Sequence, residues 1–134
     1  MPAPTATPSG PQGISVLVVE DDDDSRDMLS ELVSMLGHRA LGAANATQAL
    51  EHIDHSAPQV ALIDIGLPDV DGCEVARMIR ARPSGRDVRL VALTGYSDER
   101  TRETAAGAGF DDFVVKPIAP DALMSLLERV TAKG

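Results

Sequence analysis

The sequence predicts an α/β fold: a parallel sheet covered by helices on both faces. Three observations carry that expectation. Short apolar runs rich in Val, Leu and Ile show no alternation, as strands buried on both faces do. Stretches of helical period lie between them. The strand–helix alternation occurs five times, which right-handed crossovers turn into a three-layer sandwich.

Residues 1–13, MPAPTATPSGPQG, carry four prolines and two glycines and offer little to bury. They read as a disordered tail or linker before a domain over 14–132. Ser15–Val19 is the first strand, and Met28, Leu29, Leu32, Val33 and Leu36 mark the apolar stripe of the first helix. Gly37 is its stop. Arg39–Ala43 is a weaker strand suited to a sheet edge, and Ala49, Leu50 and Ile53 mark the second helix. Val60–Ile63 is the third strand, with Val75, Ala76 and Ile79 on the helix that follows. Leu90–Leu93 is the fourth strand. Asp98–Ala106 permits a helix whose inner side holds only small residues or Thr, so it should be the least firmly anchored. Phe113–Val115 is the fifth strand, and Leu123, Leu126, Leu127 and Val130 mark the last helix.

At 134 residues the chain fits one domain, and with 2% aromatic residues its core must be aliphatic. A formal net charge of −9 argues against nucleic acid and anionic lipid, both of which need clustered Lys and Arg. It suits a divalent cation or a basic partner. The lone Cys73 makes no internal disulfide, and no run is long and apolar enough to span a bilayer. With no signal peptide pattern, a cytoplasmic location is expected.

In open sheets of this kind, ligands sit beyond the carboxyl ends of the strands. The first strand runs into Glu20 and Asp21, the third ends at Asp64, the fourth at Thr94, and the fifth at Lys116-Pro117. Two carboxylates about 4 Å apart repel by roughly 4 kcal/mol at an effective dielectric near 20. Crowding Glu20, Asp21 and Asp64 together is therefore better explained with a cation, and hard oxygen donors favour Mg²⁺. A carboxylate can also attack phosphorus to form an acyl phosphate. Such a transfer needs in-line positioning and neutralised phosphoryl oxygens. Lys116 would supply charge and Thr94 a hydrogen bond, while Gly95 would permit close approach.

The blocks VLVVEDD (16–22), LIDIGLPDVDG (62–72), ALTGYS (92–97) and FVVKPI (113–118) resemble the signature blocks of two-component receiver domains, in order and spacing. The resemblance covers the chain from Ile14 to the last helix and implies a flavodoxin-like, chemotaxis-regulator-like sheet of strand order 2-1-3-4-5. It also implies that Glu20 and Asp21 hold Mg²⁺, that Asp64 accepts the phosphoryl group and touches the metal, and that the Gly66 carbonyl is a further metal ligand. Thr94 would be the switch hydroxyl, Lys116 the phosphate-pairing lysine and Phe113 the switch aromatic, with a cis peptide bond between Lys116 and Pro117. Glu replaces the commoner Asp at position 20, Phe113 lacks the frequent hydroxyl, Gly66 has no side chain, and Tyr96 has a large one.

The implied partners are a histidine kinase or phosphotransfer protein and an output protein on the face of the fourth helix, fifth strand and fifth helix. The chain would promote its own phosphorylation and dephosphorylation without being a multiple-turnover enzyme. The blocks also resemble receivers of hybrid histidine kinases. The opening Met1 favours a single-domain regulator over an excised receiver. An aspartyl phosphatase would carry a second Asp at position 66, where this chain has Gly. A flavin protein of this architecture would place hydroxyls, not carboxylates, after the first strand. A receiver that binds partners unphosphorylated would not require the complete set of acids, Thr and Lys.

Several other polar residues read more simply. Asp23 and Asp24 suit a helix start, where negative charge offsets the macrodipole. Asp71-Gly72 reads as a turn, His52 and His55 as solvent-facing residues, and His38 as a helix-end residue. Asn45-Ala46-Thr47 matches a glycosylation sequon of no consequence in the cytoplasm.

Overall fold

The computed structural model describes residues 14–65, 72–95, 99–116 and 118–133. The 1–13 tail, Gly66, Asp71, Tyr96 and the Lys116–Pro117 peptide bond lie wholly or partly outside the described residues. Five parallel strands, β1 (Ser15–Val19), β2 (Arg39–Ala43), β3 (Val60–Asp64), β4 (Arg89–Thr94) and β5 (Asp112–Val115), form one sheet of order β2-β1-β3-β4-β5. Five helices alternate with them: α1 (Asp23–Met35), α2 (Ala46–Ser56), α3 (Gly72–Arg80), α4 (Glu99–Ala108) and α5 (Pro120–Lys133). This is the expected doubly wound architecture.

Side chains alternate across the sheet, so each strand feeds two cores. Val16, Val18, Val60, Leu62, Val91 and Leu93 face α1 and α5, meeting Leu29, Val33, Leu123, Leu126 and Leu127. Leu17, Val19, Ala61, Ile63, Leu90 and Ala92 face the other way, onto Ala49 and Ile53 of α2, Val75, Ala76 and Ile79 of α3, and Ala105 and Ala108 of α4. The α4 contribution is alanine alone among these buried residues, as its sequence led us to expect.

Three features differ from the sequence reading. Met28 is 67% exposed although it stood in the expected apolar stripe. The buried line of α1 runs through Leu29 and Val33, one turn apart, and leaves Met28 at its margin. β5 is half-buried or exposed throughout, because it forms the sheet edge opposite β2. His52 is half-buried, with Nε2 3.1 Å from the Gly42 carbonyl oxygen, whereas His55 is exposed.

Helix ends follow local chemistry. Asp22 caps α1 by accepting from the Ser25 amide at 2.8 Å, with Asp23 and Asp24 in the first turn. Gly37 adopts a φ of +92° just past the helix, a conformation that glycine reaches without strain. His38 follows it, and its Nδ1 accepts from the Ile14 amide at 3.3 Å. Asn45 caps α2, its Oδ1 accepting from the Gln48 amide at 2.9 Å. Asn45→Ala should destabilise the fold by about 1 kcal/mol. Urea denaturation would read this as a lower midpoint at unchanged slope.

Candidate functional site

The strand registers bring the polar ends together. Val19 pairs with Ile63, so Glu20 and Asp64 each lie one residue further on, level with each other. Asp64 pairs with Leu93 and Thr94 with Val115, which sets Thr94 and Lys116 one step along the same rim. The Lys116 amide donates to the Thr94 carbonyl at 2.7 Å. At the turn into α1, the Glu20 amide donates to the Ala43 carbonyl at 3.0 Å.

Lys116 Nζ donates to Glu20 Oε1 at 2.9 Å and to Asp64 Oδ2 at 3.2 Å. Glu20 is 3% exposed and Thr94 3% exposed, whereas the Lys116 side chain is about one-third exposed. Carboxylate oxygens of Glu20, Asp21 and Asp64 lie within 4.8 Å of one another. The structure thus joins Glu20, Asp21, Asp64 and Lys116 in one cluster, with Thr94 beside them in register. Phe113 lies apart, packed against the α2–α4 core and lining a cleft of about 290 Å³ with Ala105, Ala106 and Phe110.

The charges explain the titration of the cluster. Burial raises the Glu20 pKa and the neighbouring Asp64 charge adds to the rise, while Lys116 offsets only part of it. For Lys116, burial works toward a lower value, but its hydrogen bond to Glu20 and the attraction of Asp64 outweigh burial and raise it. One lysine facing several carboxylates leaves the cluster net negative, so protons are held more tightly by both partners. Three hard carboxylate donors with residual negative charge fit a small divalent cation.

Two features of the rim escaped sequence reasoning. The Arg26 guanidinium donates to the Glu20 carbonyl at 2.9 Å and pairs with Asp23. Its only sequence signal was the Asp23–Arg26 helical spacing. An apolar cavity of about 380 Å³, lined by Met28, Leu32, Leu93 and Ile118, opens beside Glu20 and Lys116. Its walls come from segments far apart in the chain, so no local pattern announced it.

The response regulator receiver domain model matches residues 16–128. The chain belongs to the response regulator receiver family. This receiver is 34% identical over 87% of its length to an uncharacterized 14.6 kDa protein of Leptolyngbya boryana, covering 88% of that protein. It is 30% identical to the phosphate regulon transcriptional regulatory protein PhoB of Pseudomonas aeruginosa over 88% of this chain, but spans only 52% of PhoB. The receiver domain of a Pseudomonas aeruginosa sensor histidine kinase, crystallised with magnesium coordinated in its active site cleft, superposes with a TM-score of 0.82. It is 31% identical, over 90% of this receiver and 98% of that chain. No described helix of the receiver is long and apolar enough to cross a membrane.

Proposed function

We propose that this receiver accepts a phosphoryl group onto Asp64 in a Mg²⁺-dependent reaction and passes the signal on through its α4–β5–α5 face. The observation that carries the reading is the convergence of Glu20, Asp21, Asp64 and Lys116, with Lys116 Nζ bridging two of the carboxylates. Glu20, Asp21 and Asp64 would hold the ion, with the Gly66 carbonyl as a further ligand by family resemblance. When bound, Mg²⁺ supplies positive charge to the phosphoryl oxygens. Asp64 supplies the attacking oxygen, and the bond from phosphorus to the donor's imidazole nitrogen breaks as the new P–O bond forms. Lys116 is within reach of the incoming phosphoryl oxygens because it already contacts Asp64. Thr94 donates its hydroxyl to the same group.

The phosphodonor is a histidine kinase or phosphotransfer protein, as is general for the family. The chemistry at the rim is the same whether the receiver stands alone or lies within a hybrid kinase. We further propose that Phe113 moves with Thr94. The cleft beside Phe113 and the small residues of α4 leave room for that movement. The Asp64 acyl phosphate would be hydrolysed with the receiver's own help, with no separate multiple-turnover activity.

Incubation with acetyl phosphate should add the mass of one phosphoryl group in the presence of Mg²⁺ and none in its absence. Intact-mass spectrometry reads the outcome, and a gain that ignores Mg²⁺ would contradict the reading.

Mg²⁺ binding should also weaken across a window that runs from neutral pH to a pH just above the ordinary carboxylate range. Glu20 has a folded-state pKa above its unfolded one, so the folded protein takes up this proton more readily within that window. As pH falls through the window, the metal-free fold loses an unfavourable buried charge and gains stability from this group. The same proton competes with the ion. Calorimetric Mg²⁺ titrations at the two ends of that window would show the change, and equal affinities would contradict it.

A further inference from the structure

We propose that Arg26 is a positioning residue that fixes the turn carrying Glu20 and Asp21 and so raises the affinity of the site for Mg²⁺. This inference rests on the Mg²⁺-binding reading above. Arg26 lies in the first turn of α1, with its own amide donating to the Asp22 carbonyl at 2.9 Å. Its side chain is only 19% exposed and runs over Gly42 of β2, where a Cβ would lie 3.4 Å from Arg26 Cδ. From there the guanidinium divides its donors. Nη1 donates to the Glu20 carbonyl at 2.9 Å, and Nη2 pairs with the Asp23 carboxylate.

Glu20 is thereby held on three sides. Its amide is tied to β2 at Ala43, its carbonyl to Arg26, and its carboxylate to Lys116. The Arg26 contact adds a side chain anchored in the fold to the two bonds made by Asp22, whose amide donates to Glu20 Oε2 at 3.4 Å and whose carboxylate accepts from the Ser25 amide. The turn between β1 and α1 carries two of the three clustered carboxylates, and their placement follows from its backbone. A planar fork that donates in two directions suits this task, and a lysine ammonium does not reproduce it. Partners that orient metal ligands commonly control affinity in this way.

Charge alone makes the opposite prediction. A guanidinium close to the acids repels Mg²⁺, so its removal would tighten binding if charge were its main contribution. The test is calorimetric titration of MgCl₂ into the full chain, wild type against Arg26→Gln and Arg26→Lys, with metal-free thermal unfolding recorded for each. We expect Arg26→Gln to bind Mg²⁺ about tenfold more weakly and Arg26→Lys to fall between it and wild type. Labelling by acetyl phosphate should need more Mg²⁺ in the Gln variant yet reach the wild-type rate at saturation. Equal or tighter Mg²⁺ binding by Arg26→Gln would overturn the inference and leave the metal-site reading intact. A wild type that takes up no Mg²⁺ would overturn that reading and the inference with it. If Arg26→Gln does not fold, Arg26→Lys decides, since unchanged affinity there is a negative result.

Discussion

Asp64→Asn is expected to abolish the Mg²⁺-dependent gain of one phosphoryl group from acetyl phosphate. Asn keeps the shape of the side chain but replaces the attacking carboxylate oxygen with an amide that is a poor nucleophile. The change also removes one negative charge from a cluster in which carboxylates lie within 4.8 Å of one another. Lys116 keeps its 2.9 Å bond to Glu20, so the lysine is not stranded. The variant should therefore remain folded in the absence of metal, with stability close to that of the parent, while its Mg²⁺ affinity drops with the loss of a ligand charge. Intact-mass spectra and thermal unfolding, measured on the same samples, separate loss of chemistry from loss of fold. A full phosphoryl gain in Asp64→Asn would place the acceptor elsewhere and defeat the proposed mechanism.

The second large effect is expected from a residue with no reactive group. Gly72 opens α3, and a Cβ there would lie 2.5 Å from Ile65 Cα and 2.6 Å from the Asp64 carbonyl oxygen. Both obstructing atoms are backbone, so no rotamer change relieves the clash. Gly72→Ala must push α3 away from the end of β3 or shift Asp64 itself. Overpacking of this kind costs about 1–3 kcal/mol, and the backbone obstruction puts Gly72→Ala toward the upper end. The displaced atoms belong to the proposed acceptor, so labelling by acetyl phosphate should fall as well, even below the unfolding midpoint. Urea denaturation and the labelling rate at saturating Mg²⁺ are the two measurements. A stable, fully labelled variant would show that α3 can retreat freely. The sequence reading of Asp71-Gly72 as a turn was too mild for Gly72, because the requirement for glycine comes from β3 and not from local backbone conformation.

The same contrast runs through the rim. The acids at 20, 21 and 64 were legible as a candidate metal cluster because each follows an apolar strand, a pattern written locally. Lys116 was legible as the ammonium of the site, but its pairing with both Glu20 and Asp64 was not. The Lys116 bridge spans 96 residues to Glu20 and 52 to Asp64, and its two distances exist only once four strands are in register. Arg26 was missed for a related reason. It belongs to no motif in the sequence, and its value comes from a backbone carbonyl in the preceding turn and a glycine on β2. Asp22 had no reading of its own in the sequence, and its side chain caps α1 by accepting from the Ser25 amide. That hydrogen bond holds its pKa below the ordinary carboxylate value.

The amino-acid sequence by itself determined the alternation of strands and helices, the two-sided burial of β1, β3 and β4, and the family. All of these are set by the order and periodicity of apolar residues and by short blocks of chemistry. Only the tertiary structure decided which face of each strand meets which helices, how little of β5 is buried, and that Met28 stays in solvent. It alone decided that Lys116 reaches both Glu20 and Asp64 while Arg26 holds the turn from behind. Packing and charge act through space, and parallel strands joined by helical crossovers place residues side by side that the chain keeps dozens of positions apart.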